Sequence, residues 1–374
     1  MVKRNSSKRF GKKMLTGMAV GAMALSLFAA GPANADAKRP ILHTKTFDLA
    51  ADSQELIRDK ALHNGTVLQS FAFDNVNQTI YTLQLMAGGQ QLPGEAAPVT
   101  GTQRGKDGDL ALTKLDLEGN ELGYMYLKGF GHGVQMGVEV DENGTPYLWT
   151  ETDSVTEGSD GWGTQIARFQ FEDGAILTPD SPQLEKHRLI EGADRTTVNI
   201  DPSNNTLTMR YRGTDKVFHF ALFDLEQVKQ GNYEPIADVF QPQMGTFQGF
   251  ATYGEYLYLL EGNSYGSGGS VEPNGNTYIT SVNWNTGQVV DKELFLGGTS
   301  AITFREPEGL AIRIPDTRHP HKAQLSVGFA SNFTPNRWGN IYYIDQLVPE
   351  ESLRGLHGDG LHGDGSPGST LSNP

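Results

Sequence analysis

The sequence of 374 residues contains no cysteine. That absence excludes disulfide frameworks, thiolate metal sites, iron–sulfur clusters and cysteine nucleophiles. Positive charge is also scarce, with 30 Lys and Arg against 44 Asp and Glu and a formal net charge of −14. Such a balance argues against non-specific attraction to nucleic acid or anionic lipid. Helical periodicity is nearly absent, and the short stretch Gln54–Leu62 is the best amphipathic helix candidate. No P-loop or HExxH motif occurs, so the reaction classes they serve have no support.

What is present begins at the N-terminus. Lys3, Arg4, Lys8, Arg9, Lys12 and Lys13 precede an apolar stretch from Met14 to Ala30, which leads to Ala33-Asn-Ala35. Basic, apolar and small residues in that order mark a secretory signal peptide over 1–35, with cleavage expected after Ala35. A membrane anchor is the competing reading, weakened by Gly17, Gly21, Ala22 and Ala24 within the stretch. Cleavage removes six positive charges and takes the net charge from −14 to −20. The expectation is a secreted, monomeric bacterial protein with no membrane span after cleavage. Residues 36–348 form its folded domain, and 349–374, with a repeated Leu-His-Gly-Asp-Gly, a disordered tail.

Between these ends the chain reads as short alternating segments rich in Tyr, Val, Phe and Thr, split by Gly, Asn and Asp turns. The segments recur. Similar hairpins begin at Gln69, Met136, Thr196, Gln248 and Glu308, each followed by a third strand and most by a fourth. Five units of three to four strands predict an all-β, five-bladed β-propeller. The fifth unit lacks a good fourth strand, and Ile41–Leu49 is the expected N-terminal strand that closes the ring. A β-sandwich or a parallel β-helix is the competing architecture, but a sandwich does not need five similar starts and a β-helix has shorter turns of chain.

In a propeller the first strands line the channel, so the loops entering them share one mouth. Just upstream of the aligned starts come His63, His132, Arg195 and Arg305-Glu306. His63 and His132 are candidate acid and base, since imidazoles titrate near neutrality. Arg210 and Arg212 are two apart on a strand and share a sheet face; with Arg305 they form a candidate clamp for phosphate or carboxylate. Tyr211, Trp149 and Tyr265 are candidate stacking walls, although aromatics in strands more often fill blade cores. Glu308 with Gln69 and Gln248 offers oxygen ligands for a channel cation, calcium being the candidate. Carboxylates at Glu151, Glu261, Glu306 and Glu308 also leave a glycosidase pair open. No organic cofactor is expected.

Five segments carry a resemblance to a known family. They are Leu68-Gln-Ser-Phe-Ala-Phe73, Tyr126-Leu-Lys-Gly-Phe-Gly-His-Gly133, Tyr147-Leu-Trp-Thr-Glu151, Thr246-Phe-Gln-Gly249 and Thr303-Phe-Arg-Glu-Pro-Glu-Gly309. The chain resembles secreted actinobacterial propellers of the teichoic acid biosynthesis protein C-like family, themselves similar to phage receptor-binding and baseplate propellers. The resemblance covers roughly 45–347. It implies an extracellular five-bladed propeller with a glycerol-phosphate polymer as partner. It also implies polymer degradation, with one histidine deprotonating a hydroxyl, arginine stabilising the phosphorane and the second histidine protonating the leaving alkoxide. A non-catalytic wall-binding propeller is the alternative from another class.

Overall fold

The computed structural model describes residues 40–356; the expected signal peptide and the Gly-rich tail after Leu356 lie outside the described residues. Successive side chains of a strand point to opposite faces, and in the inner strands both sets are buried, so each sheet has two covered faces and each face needs a neighbour. Five sheets satisfy this as the five blades of a propeller, antiparallel except where the short edge strand Ile176–Leu177 runs parallel to Glu121–Leu127. Their innermost strands are Leu68–Asp74, Gly137–Val140, Asp194–Asp201, Phe247–Tyr253 and Glu306–Arg313. All five begin within two residues of the sequence expectation. Among the described residues, no helix is long and apolar enough to cross a membrane.

Each seam between blades holds its own core. Tyr81 and Leu83 of blade 1 pack with Leu148 and Phe169 of blade 2, while Ile80 and Phe71 pack with Ala311 and Ile341 of blade 5. Alternate residues of one strand thus feed two cores. Blades 2 and 3 meet at Trp149, Val198 and Leu207, blades 3 and 4 at Phe220 and Phe250, and blades 4 and 5 at Tyr258 and Leu325.

Closure differs from expectation in its strand. Gln54–Ala61 is not a helix but the outermost strand of blade 5, antiparallel to Trp338–Ile344. Ile57 is buried in the blade 5–1 core, and the open edge of blade 5 overrides the weak helical pattern. Ile41–Leu49 does not close the ring. It crosses blade 4, where Phe47 packs on Tyr253 and Tyr258 and Thr46–Phe47 pairs with Leu347–Val348. The tail expected from residue 349 starts with a helix, Glu350–Leu356, whose Leu353 is buried.

Four of the five innermost strands break register at the same level, each carrying one residue more than its partner and leaving one or two of its residues outside the regular pairing. These residues are Gln69 in blade 1, Arg195 and Thr196 in blade 3, Gln248 in blade 4, and Glu308 and Gly309 in blade 5. Such bulges bend a strand and re-aim side chains at the rim of a sheet. One residue further along, the backbones touch: a Cβ on Gly249 would lie 2.7 Å from Gly309 Cα, and one on Gly309 would lie 2.9 Å from Ser70 Cα. Glycine is required at both places.

The buried amide of Gln135 fastens this level. Its Nε2 donates to Leu310 O at 2.7 Å, and its Oε1 accepts from the Phe250 and Leu310 N–H groups at 3.2 and 3.3 Å. Its own carbonyl accepts from Thr197 Oγ1 at 2.9 Å, and Ser70 Oγ donates to Gly133 O at 2.6 Å. The segment before the innermost strand of blade 2 therefore touches every other blade. Gln135→Leu keeps the volume but strands two backbone N–H groups and a carbonyl, which is expected to cost about 2–5 kcal/mol. Denaturant unfolding of the two proteins measures this; a loss below 1 kcal/mol would contradict the role.

Candidate functional site

The mouth is the face on which the chain enters the innermost strands. Over blades 2 and 3 it is built by three loops and one strand. Gly129, Gly131 and Gly133 all have positive φ, and they turn the loop that presents His132. Below it lies the carboxylate of Glu151, fully enclosed. It accepts from Gly133 N at 2.6 Å, from Gly163 N at 2.7 Å and from the His132 backbone N–H. A side chain on Gly131 would collide with this carboxylate. Glu151 thus pins two loops to one point.

The second pinned loop carries a small hairpin, Val155–Glu157 with Asp160–Trp162. The indole of Trp162 stacks on His132, with centroids 4.6 Å apart and planes 14° apart. The Arg195 guanidinium lies 4.2 Å from the same ring. Arg195 is a bulge residue with φ +50, a strained setting for a non-glycine that redirects its side chain to the mouth. It pairs with Glu157 at 3.0 Å. His132 Nδ1 lies 3.6 Å from Asp160. Burial, helped by Arg195 and opposed by Asp160, holds the His132 imidazole below its usual pKa, which favours the neutral ring.

Arg210 completes the group. Five arginines are buried among the described residues. Arg104 pairs with Glu95 and Asp109, Arg168 with Glu139 and Glu185, and Arg337 with Glu306. Arg305 is held by the Gly297 and Phe295 carbonyls and Thr277 Oγ1. Arg210 has neither a carboxylate nor a backbone carbonyl among the described residues. Its Nε donates to Gln241 Oε1 at 2.8 Å and its plane lies between Phe218 and Phe247 at 3.8 and 3.9 Å. Its two terminal nitrogens donate to none of the described residues. Burial, then the charge of Arg195, pushes its pKa down to about 9, against the pull of Glu151. It remains a cation at neutral pH.

Several expected residues fall elsewhere. His63 Nδ1 meets Glu121 at 3.1 Å, its Nε2 meets Tyr126 OH at 3.0 Å, and its ring stacks on Tyr124. Those partners lie on Glu121–Leu127, three strands out from the axis of blade 1, about 14 Å at the usual strand spacing. Among the described residues His63 meets Glu121, Tyr126 and Tyr124 while His132 meets Asp160 and Trp162, so the two histidines share no recorded partner and form no acid–base pair around one atom. Arg305 is 1% exposed and consumed by the loop it supports. Trp149 is fully buried, donating to Glu139 and stacked on His187. Tyr211 faces away from Arg210, bonding Asp238 and stacking on His219. Arg212 is at the mouth, but Asp194 and Glu157 engage it at 2.6 and 2.7 Å, and these bonds raise its pKa.

Gln69, Gln248 and Glu308 are at the bulges of blades 1, 4 and 5. Burial, then the neighbouring Glu306, drives the Glu308 pKa well up. Trp162, Asp160 and Gln135 escaped the sequence reading; the aromatic closing the acidic loop Glu151–Gly163 was the available signal. Gly262-Asn-Ser264-Tyr-Gly266 spells GxSxG. It follows a strand of blade 4 with no helix after it, so it forms no nucleophile elbow.

The fold and mouth define a five-bladed propeller whose rim gathers cations over blades 2 and 3 on an acidic chain. Residues 67–343 match the family described as the phage 5-bladed beta propeller receptor binding platform domain, and the chain belongs to that family. It is 29% identical over 310 residues to the Bacillus subtilis (strain 168) protein named "Putative major teichoic acid biosynthesis protein C", covering 79% of this chain and 63% of that one. It also resembles the tail fiber of Staphylococcus aureus phage P68, with a TM-score of 0.61 and 20% identity, over 85% of this chain and 57% of that one. The chain thus spans less than two thirds of the length of either relative.

Glu151 gives a testable pH signature. Burial outweighs its three N–H donors and raises its pKa from 4.5 to about 7. The stability linked to this group is therefore full below pH 4.5 and declines as pH rises through about 7, by about 3 kcal/mol at most. Glu151→Gln removes that titration. Its Tm should fall less steeply than that of the wild type between pH 5 and 8, as differential scanning fluorimetry would show; parallel curves would contradict the assignment.

Proposed function

We propose that this protein recognises a phosphodiester-linked anionic wall polymer of the teichoic acid class at the mouth over blades 2 and 3. The observation that carries the reading is Arg210, a buried cation with no anionic partner, whose terminal nitrogens are left for a ligand. Arg195 adds a second charge, and Trp162 adds a flat face for a glycerol or sugar unit. The relative named for teichoic acid and the receptor-binding family support the polymer class. The basic, apolar, small-residue N-terminus supports secretion, where such a polymer is encountered. A formal charge of −14 opposes a polyanion at long range, so binding relies on local contact and weakens with salt.

A second reading is cleavage, favoured by the neutral imidazole of His132 near Arg195. His132 takes the proton of the free glycerol hydroxyl, whose oxygen attacks the adjacent phosphorus. The bond to the next glycerol oxygen breaks, and that oxygen takes a proton from water. The products are a cyclic phosphate and a free hydroxyl end, and Arg210 balances the charge on the phosphorane.

Calorimetric titration with poly(glycerol phosphate) tests the first reading. Arg210→Met should weaken binding about 10- to 100-fold, the value of a charge-assisted hydrogen bond; unchanged affinity would overturn it. Mass spectrometry of the incubated polymer tests the second. New cyclic-phosphate ends that vanish with His132→Gln support cleavage, whereas intact polymer leaves a binding propeller.

A further inference from the structure

The opposite side of the mouth has a different chemistry. Gln69, Gln248 and Glu308 are the bulged residues of blades 1, 4 and 5, whose innermost strands are neighbours around the axis. The residues that follow them, Ser70, Gly249 and Gly309, are in backbone contact, so the three side chains leave the chain at one level. Glu308 is 6% exposed, and its carboxylate has neither a hydrogen bond nor an ion pair among the described residues. The nearby Arg337 is already committed to Glu306 at 2.7 Å. Gln248 spends its Nε2 on Gly262 O at 3.0 Å, which leaves its amide oxygen as the free end. Gln69 is buried and makes no side-chain hydrogen bond to the described protein.

We infer that Glu308, Gln69 and Gln248 form a calcium site at the top of the channel. An unpaired buried carboxylate is costly unless a cation joins it. The available groups are all hard oxygens: a carboxylate capable of bidentate contact, two amide oxygens, and room for water at the mouth. Calcium accepts six to eight such ligands in flexible geometry, whereas magnesium demands a near-octahedral set. With one carboxylate the affinity belongs in the range of about 10⁻⁴–10⁻³ M, ordinary for extracellular modules. The site is independent of Arg210 and of any polymer.

The test uses the full-length protein, stripped with chelator and free of polymer. Adding calcium chloride to 10 mM should raise Tm by about 2–5 °C with saturation, and calorimetry should show one site. Glu308→Gln keeps the size of the side chain and should fold, with the calcium response lost. Gln69→Met is the second variant and should weaken binding several-fold while keeping the fold. No calcium response in the wild type, or an undiminished one in Glu308→Gln, would overturn the site. An equal response to magnesium would overturn the choice of calcium. Because no polymer is present, either failure leaves the reading of the Arg210 mouth untouched.

Discussion

One buried amide holds the ring at its narrowest level. Gln135 reaches from blade 2 and satisfies backbone groups of blades 4 and 5, while its carbonyl takes a hydroxyl from blade 3. Its hydrogen bonds replace water that the axis has no space to hold, since Gly249 and Gly309 let neighbouring backbones touch there. Packed backbones at that level leave the extra residues of four innermost strands just above it. The bulges at Gln69, Arg195, Gln248 and Glu308 are thus a consequence of a tightly closed axis. They convert a uniform ring of strands into a rim with chemical character.

That character is divided. Over blades 2 and 3 lie Arg195 and His132 against Trp162, on loops that Glu151 fixes, with Arg210 held between Phe218 and Phe247. Across the axis stand a carboxylate and two amides. The cationic half lies on a chain with 44 acidic residues, so its charge is local and works only at contact distance. Of the five arginines buried among the described residues, four are used up internally and Arg210 is not, which is the local charge the proposed polyanionic ligand would meet.

Much of the fold was legible because alternation and turn residues repeat. The unit starts near residues 69, 136, 196, 248 and 308 marked the innermost strands within two positions. The closing strand was not legible, because Gln54–Ala61 buries little besides Ile57 and owes its form to the open edge it covers. The short strand Glu185–His187 is mostly exposed and left no pattern. For the site, spacing identified which residues enter the mouth face but not how far from the axis they lie. His63 comes directly after an outermost strand and stays at the rim, while His132 precedes an innermost one and lies over blade 2. Arg305 stands just ahead of a unit start and Trp149 in an aromatic strand, and the burial of both reflects packing needs that no local pattern records.

The central claim is that Arg210 is left unpaired to receive an anion. The most direct measurement is a crystal structure with a short glycerol-phosphate oligomer bound. The account predicts a phosphate within hydrogen-bond distance of the Arg210 terminal nitrogens, with Arg195 and the Trp162 face beside it. An oligomer bound on the opposite end of the channel, or at the outer rim near His63 with Arg210 untouched, would contradict it.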